Sequence, residues 1–179
     1  MKGSLALSRR SLCRRLAVLL VAGAAIPSGA VAGSMPTKIA VFDFELDDRS
    51  AGAGIAGDAA ADAARLGAVT SEVRRLLAQS GRYVLVDVSK ADAAAVRDHS
   101  LAQCDGCEAA IARQLGADQS LLGVVTRISR TEYVVRFQIR DAGSGDVILA
   151  RQSGLHIGAD YSWNRGAAAL IKDTLLDKP

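Results

Sequence analysis

Hydrophobic and polar positions along the first half of the chain predict two strands separated by a helix. The apolar stretch KIAVFDF at 38–44 is typical of a strand buried on both faces, and we expect a loop at 45–57 after it. From 58 to 79, apolar residues recur at three- and four-residue steps, which predicts an amphipathic helix closed by Gly81. The stretch RYVLVDV at 82–88 then predicts the second strand.

The second half predicts a helix, three strands and a last helix. EAAIARQL at 108–115 has helical spacing, and QSLLGVVTRIS at 119–129 is typical of a buried strand. EYVVRFQIRD at 132–141 alternates apolar and polar residues, and the glycine turn DAGSGD joins it to a strand at 147–157. A helix beginning near residue 160 completes an α/β fold of the α+β kind. We expect a mixed sheet of about five strands in the order β-α-β-α-β-β-β-α, with helices covering the sheet.

The N-terminus has the pattern of an export signal. Four arginines precede the apolar run LAVLLVAGAAI, and Ala30 and Ala32 form a small-residue cleavage site. The run is shorter than the roughly 20 residues that a membrane-spanning helix needs. We therefore predict a cleavable signal peptide at 1–32 and a single α/β domain at 33–179. SRRSLCR at 8–14 resembles a twin-arginine signal, although a general secretory signal would look almost the same.

Removal of this signal would change the charge of the protein. The full chain has a net charge of +3, and the predicted signal contains five basic residues and no acidic ones. Seventeen basic and 19 acidic residues would remain, so the net charge would be 17 − 19 = −2. A near-neutral domain with few aromatic side chains lacks the basic surface and stacking platforms of nucleic-acid-binding proteins. We predict a periplasmic protein with no nucleic-acid partner and no membrane span in its mature form.

Glycines after the first strand raise the question of a nucleotide site. Gly52, Gly54 and Gly57 spell GxGxxG, and Asp87 ends the next predicted strand. In a dinucleotide-binding fold, the first glycine turns directly off the strand, and the acidic residue follows the motif by about 20 residues. Here a loop separates the strand from the glycines, and Asp87 lies farther away. We therefore interpret the segment as an Ala/Gly-rich loop and predict no cofactor.

Three acidic residues near the end of the first strand are a candidate set of cation ligands. Asp43, Glu45 and Asp47 would lie on one side if the strand continued, and carboxylate oxygens suit hard cations. The segment lacks the spacing of a calcium-binding loop. We interpret it as the solvated end of a strand and predict no metal.

The CDGC motif, Cys104 to Cys107, is the remaining candidate for chemistry. It could be a redox pair at the start of a helix, or a zinc site that recruits His99 and His156. It could also be a structural disulfide, as expected in an exported protein. Covalent haem is excluded because Glu108 stands where a histidine is required. We favour the structural disulfide, because the cysteines are in step with the apolar positions of the predicted helix.

The segment from CEAAIARQLGAD to DAGSGDVILA resembles an envelope α/β domain found in several bacterial proteins. These are the curli-secretion lipoprotein, the penicillin-binding-protein activator lipoprotein and the N-terminal domain of the Tol-system propeller protein. Over nearly all of the predicted mature chain, from about 38 to 176, the chain is also similar to an uncharacterised family of small exported bacterial proteins. That similarity includes AVFDFEL, SGRYVLVD, CDGCEAAIARQLGAD and SWNRGAAALI. Relatives in this family are encoded near periplasmic quinoprotein alcohol dehydrogenases.

The resemblance implies a non-enzymatic periplasmic accessory or docking protein. Such a protein would bind another envelope component, with a quinoprotein dehydrogenase system as the expected context. The alternative is a thiol–disulfide or metal-handling protein that uses Cys104 and Cys107. HIGADY, before SWNRG, departs from the relatives, and it makes Asp160, Tyr161 and Trp163 a candidate interaction surface. Trp163 is also a candidate anchor of the core.

Overall fold

The computed structural model describes residues 35–51, 59–92, 96, 100–129, 131–156 and 162–177. The elements in chain order are β1 (Thr37–Val41), β2 (Glu45–Asp48), α1 (Ala59–Gln79), β3 (Tyr83–Val86), α2 (Cys107–Gln114), β4 (Gln119–Arg127), β5 (Glu132–Asp141), β6 (Val147–His156) and α3 (Ser162–Ile171). A short 3-10 turn, Val88–Lys90, follows β3, and α3 continues into a wider turn at Lys172–Leu176. Among these described helices, none has both the length and the apolar composition needed to cross a membrane.

The strands form one mixed sheet in the order β3-β1-β4-β5-β6, and β2 also pairs with β4. β1 runs parallel to β3 and β4, and β2 runs parallel to β4. The strands β4, β5 and β6 form an antiparallel meander. The predicted α+β fold, with a mixed sheet that ends in a meander, is confirmed.

The strand β2 is a correction to the sequence prediction, which placed this segment in a loop. Its residues 45–48 pair one by one with 124–127 of β4, just beyond the part of β4 that pairs with β1. The composition ELDD disfavours a strand, because acidic residues are depleted there. Pairing with β4 overrides that preference, so the described sheet has six strands.

Both faces of the sheet carry a hydrophobic core. On the first face, α1 and α3 pack against the sheet, where Val73 and Ile171 are fully buried. On the second face, α2 packs against β1 and β4, with Phe42 and Ala112 fully buried. The helices therefore lie on both sides of the sheet, as strands that are apolar on both faces require.

A partly buried ion-pair network joins β2, β4 and α1 on the first face. Arg127 donates hydrogen bonds to Asp48 at 2.8 Å and to Asp62 at 2.6 Å. Arg65 donates to the other oxygen of Asp62 at 2.8 Å. Burial lowers the pKa of Arg127, but hydrogen bonds to Asp62 and Asp48 outweigh it, and the pKa lies above its ordinary value. The guanidinium therefore stays charged, and both carboxylates are paired.

Gly123 of β4 allows the ring of Phe44 to lie directly against the backbone of the sheet. A Cβ atom at position 123 would fall inside the contact distance of several ring atoms. The ring is only 3% exposed, so it has little room to move away. A glycine is therefore required where Phe44 crosses β4.

We expect Gly123→Ala to destabilise the protein by overpacking, at a cost of about 1–3 kcal/mol. Gly67→Ala is the matched control, because Gly67 lies in α1 with no neighbouring atom within 4 Å of an added Cβ. Alanine in a helix interior is more stable than glycine by about 0.5–1 kcal/mol. Urea unfolding should show a lower free energy of unfolding for Gly123→Ala and a higher one for Gly67→Ala. An unchanged free energy of unfolding in Gly123→Ala would show that Phe44 can shift.

The stability of the fold should also depend on the ionisation of Asp48. Hydrogen bonds from Ser50, helped by the contact with Arg127, lower the pKa of Asp48 despite its burial. A carboxyl with a lowered folded-state pKa stabilises the fold fully above its unfolded value of about 3.9. That contribution is lost as the pH falls through the folded-state pKa.

We therefore expect the free energy of unfolding of Asp48→Asn to fall less steeply than that of the wild type as the pH drops from about 5 to about 3. Urea unfolding of the variant and the wild type across this range measures the difference. Asp146→Asn, at an exposed aspartate on the β5–β6 turn, is the control. Identical profiles for wild type and Asp48→Asn would mean that Asp48 is not linked to folding.

Candidate binding cleft and disulfide loop

A cleft of about 470 Å³ lies beside α2 on the second face of the sheet. Leu122 and Val124 of β4 line its floor and are buried. Ala150 and Gln152 line it from β6, and the loop at 102–105 forms a wall. The cleft therefore has an apolar floor and is bordered by the last strand of the sheet.

Strand register places a row of polar side chains along the cleft. Arg136 of β5 lies between Val124 of β4 and Gln152 of β6. Gln138 and Arg140 follow at two-residue steps on the same face, whereas the alternate residues of β5 are buried in the first core. The half-exposed strand predicted from the alternation is confirmed, and its polar side faces the cleft.

Glu45 of β2 holds the loop that forms the wall of the cleft. Its carboxylate accepts hydrogen bonds from the backbone N–H of Leu101 at 2.7 Å and of Ala102 at 3.3 Å. The Ser100 hydroxyl donates to the same carboxylate. Hydrogen bonds from backbone donors to a carboxylate are stronger than those between neutral groups. The strand β2, which the sequence did not predict, therefore positions this wall of the cleft.

Cys104 and Cys107 lie within disulfide-bonding distance, with Cα atoms 5.8 Å apart. Cys107 begins α2, and Gly106 before it has a φ of 90°. That left-handed conformation favours glycine and lets the chain turn tightly between the two cysteines. Both cysteines pack against the second core, and Cys104 also lines the cleft. The sulfur pair therefore joins the wall of the cleft to the first residue of α2.

Glu108, the second residue of α2, is a fully buried carboxylate. Gln138 donates a hydrogen bond to its Oε1 at 2.9 Å, and Arg140 Nε lies 3.0 Å from the same oxygen. The Arg140 contact is an ion pair by distance but lacks hydrogen-bond geometry. Oε2 has no hydrogen-bond partner among the described residues. Since a buried charge is costly unless it is paired, Arg140 is what allows Glu108 to lie here.

Arginines give the cleft a local excess of positive charge. Arg140 binds Asp105 at 2.9 Å and the carbonyl of Gly145 at 2.9 Å. Arg136 also lines the cleft, from the same face of β5 as Arg140. Arg151 pairs across the ladder with Phe137, whose side chain is buried in the first core, so the Arg151 side chain lies on the other face of the sheet. Within the part of the chain that the structure describes, no hydrogen bond or ion pair engages Arg136. Its exposed guanidinium is therefore free to bind a ligand.

The candidate cation ligands Asp43, which follows β1, and Glu45 and Asp47, which are in β2, do not come together as a site. Asp43 pairs with Arg74 at 3.1 Å, and Asp47 pairs with Arg49 at 2.8 Å. Glu45 holds the cleft wall. Each carboxylate thus has a different partner.

Several sequence candidates lie outside the described residues. These are the glycines at 52–57, His99, Asp160 and Tyr161, together with the side chain of His156. A zinc site with histidine ligands and an interaction surface at 160–161 therefore stay predictions.

Trp163 is in the core, which is one of the two roles that the sequence left open for it, and not on an exposed surface. It is 2% exposed, and its ring lies 5.4 Å from that of Tyr133. The guanidinium groups of Arg65 and Arg127 each lie 5.9 Å from the indole. Helix α3 turns Trp163 toward the sheet together with Ala167, so the side chain anchors the first core.

Sequence reasoning missed most of the residues that form the cleft. Arg136, Gln138 and Arg140 were visible as the polar half of an alternating strand, but no ligand role followed from that pattern. Nothing in the sequence predicted the burial of Glu108, since a glutamate in the first turn of a helix is usually solvated. Glu45 could not be assigned without the pairing of β2.

The fold and the cleft define a small α/β domain with a mixed sheet, a meander at one edge and a cysteine-closed loop beside a polar cleft. The chain belongs to the DUF3280 family, whose description is "Protein of unknown function (DUF2380)" and whose model matches residues 37–175. The expected membership of an uncharacterised family is thereby confirmed. No curated protein matches the chain significantly.

The chain is also similar to several solved structures. With the C-terminal domain of LpoB from Escherichia coli it has a TM-score of 0.49 and 18% identity, covering 72% of this chain and 88% of that one. With TolB from Acinetobacter baumannii the TM-score is 0.48 and the identity 14%, covering 80% of this chain but 29% of TolB. With lipoprotein GNA1162 from Neisseria meningitidis the TM-score is 0.46 and the identity 14%, covering 79% of this chain and 95% of that one. Similarity at this level does not assign a function.

We expect the double variant Cys104→Ser/Cys107→Ser to be less stable by roughly 2 kcal/mol, because the disulfide closes only a short loop. Urea unfolding under oxidising conditions measures this loss. A reductant should lower the stability of the wild type by a similar amount and leave the double variant unchanged. Equal stability of the two proteins would mean that Glu45 and Arg140 hold the loop without the bond.

Proposed function

We propose that this protein is a non-enzymatic accessory protein of the bacterial periplasm, and that its cleft binds an acidic segment of another envelope protein. The observation that carries the proposal is Arg136, whose guanidinium has no partner among the described residues and lies above the apolar floor of the cleft. Guanidinium groups bind carboxylates through two parallel hydrogen bonds, which gives both strength and direction. An acidic side chain flanked by apolar residues is the ligand that this combination fits.

The polar neighbours of Arg136 support binding to a peptide. Gln138 and Gln152 carry amides that can both donate and accept hydrogen bonds, as a peptide backbone requires. Leu122 and Val124 offer apolar area below them. The cleft is within the range of about 300–1,000 Å³ that is typical of binding pockets.

The edge of the sheet offers a second means of attachment. In the described sheet β6 pairs only with β5, so its outer backbone groups face away from the ladder. Val147 and Ile148 on this strand are 47% and 51% exposed. An extended peptide can add to such an edge through main-chain hydrogen bonds, while a neighbouring pocket selects its side chains. Because β6 also borders the cleft, one partner segment could use both.

The chemistry of the cleft supports binding over catalysis. The two cysteines lie within bonding distance of each other, and Glu108 and Asp105 are both paired with Arg140. A catalytic pair would instead need a nucleophile within hydrogen-bond reach of a free base. No such pair lines the cleft in the residues that the structure describes.

The periplasmic location rests on the export-signal pattern at 1–32. The resemblance to proteins encoded near quinoprotein alcohol dehydrogenases makes a periplasmic dehydrogenase of that class the first partner to test. Its acidic segments are the candidate ligands of the cleft.

Photo-crosslinking in the periplasm tests the proposal. A photoreactive residue at Gln152 should crosslink to an acidic segment of an envelope protein, identified by mass spectrometry. Arg136→Glu should reduce this crosslink roughly tenfold or more, because a hydrogen bond to a charged group contributes about 1.5–3 kcal/mol. Arg113→Glu is the matched control, since Arg113 is an exposed residue of α2 that does not line the cleft.

Either of two results would contradict the proposal. One is a crosslink that survives Arg136→Glu in a folded protein. The other is a crosslinked segment without acidic residues, because the arginine would then have no ligand to bind. A crosslink to a quinoprotein dehydrogenase would identify the pathway as well as the site.

A further inference from the structure

Cys104, Cys107 and Glu108 form a cluster of three metal-binding groups at the start of α2. One sulfur from each cysteine and one carboxylate oxygen all lie within 4.8 Å of one another. We propose that, once the disulfide is reduced, these three side chains bind a divalent cation of the zinc class. This inference goes beyond the proposed docking function and does not depend on it.

The ligand set suits zinc. Two cysteines separated by two residues are a common pair of zinc ligands, and a carboxylate oxygen can serve as a third. In a tetrahedral site with Zn–S bonds of about 2.3 Å, the two sulfurs lie about 3.8 Å apart. After reduction, the sulfurs of Cys104 and Cys107 can separate to that distance by side-chain rotation, without leaving the cluster. Three protein ligands leave the fourth position for water.

The environment of Glu108 is a second observation that points to a cation at this cluster. It is 0% exposed, and its Oε2 has no hydrogen-bond partner among the described residues. Buried polar atoms in native proteins almost always have a partner. A cation held with the two cysteines would provide one. Meanwhile Gln138 binds the other oxygen at 2.9 Å, as residues behind a metal ligand commonly do to fix its orientation.

The charges around the cluster balance for a divalent cation. Two thiolates and the Glu108 carboxylate carry three negative charges, and Arg140 at 3.0 Å from the carboxylate contributes one positive charge. A doubly charged cation brings the sum over these four groups to zero, and Asp105, which also pairs with Arg140, is left out of the sum because its side chain is 97% exposed to solvent. In the oxidised protein the sulfurs carry no charge and are bonded to each other, so the site does not exist.

The site is therefore controlled by the redox state of the cysteines. A dithiol reductant transfers two electrons and two protons to the Cys104–Cys107 disulfide and becomes a disulfide itself. The cation then displaces the two thiol protons and binds both sulfurs. Cys104 lines the cleft, so both reagents can reach the sulfur from there.

Cobalt titration tests the site. Cobalt(II) is the probe, because its tetrahedral thiolate complexes absorb light that zinc complexes do not. The full chain should carry Cys13→Ser, so that Cys104 and Cys107 are its only thiols. After treatment with a dithiol and its anaerobic removal, we expect one cobalt ion per chain with a thiolate-to-cobalt band, which zinc abolishes. The unreduced protein should show no band.

Variants separate a three-ligand site from adventitious binding to the cysteines. Glu108→Gln keeps the size of the side chain but removes a ligand, and it should weaken cobalt binding at least about tenfold. Asp105→Asn is the matched control, because this carboxylate is in the same loop and also binds Arg140, yet its side chain is 97% exposed. It should change the affinity by less than about threefold.

Two results would overturn the inference: absence of the band in the reduced protein, or equal affinity in Glu108→Gln and the parent. If Glu108→Gln does not fold, Gln138→Ala replaces it, since that change removes the bond to Oε1 and leaves the carboxylate in place. A loss of about 10- to 100-fold is then expected, and unchanged affinity would refute the site.

Discussion

The ion pairs of Arg127 are the interactions on which the first face of the sheet depends. This one guanidinium, whose side chain is 12% exposed, pairs with Asp48 on β2 and Asp62 on α1. It also lies 5.8 Å from the ring of Tyr133 and 5.9 Å from that of Trp163. Without it, Asp48 would lose its cation and Asp62 would keep only Arg65, and an unpaired carboxylate in this partly buried place is more costly than a solvated one. The network therefore ties the polar strand β2, the long helix α1 and the last helix to the central strand of the sheet.

A second arginine has a comparable place on the opposite face. Arg140 contacts the buried carboxylate of Glu108 and the exposed carboxylate of Asp105, and so joins α2 to the loop before it. Glu45 holds the same loop from the other side through backbone hydrogen bonds. The cleft is thus bordered by charged groups, some of which pair with other residues of the protein and some of which are exposed to solvent. Of the arginines beside it, Arg136 is exposed and has no hydrogen-bond or ion-pair partner among the described residues.

The parts of this structure that could be predicted from sequence are those where local pattern and tertiary role agree. The first part of the apolar stretch at 38–44 lies in β1, which ends at Val41, and the alternation at 132–141 became β5, each with the expected faces. The strand at 45–48 could not be predicted, because its acidic residues disfavour a strand and only pairing with β4 and Arg127 stabilises it. The burial of Glu108 was equally hidden, since its partners lie on strand β5, some 30 positions away. Trp163 had two interpretations because aromatic residues are common both in cores and at interfaces.

The position of β4 has a consequence for the order in which the chain can fold. The strand lies at the centre of the sheet but comes late in the sequence, and Asp48 and Arg127 are 79 positions apart. β2 therefore has no described partner strand until more than two thirds of the polypeptide has been synthesised. Contacts of such long range are slow to form, because the closure of a long loop precedes any gain from them. β2 consequently cannot complete its pairing until β4 has emerged, whereas β1 can already pair with β3, which comes earlier in the sequence.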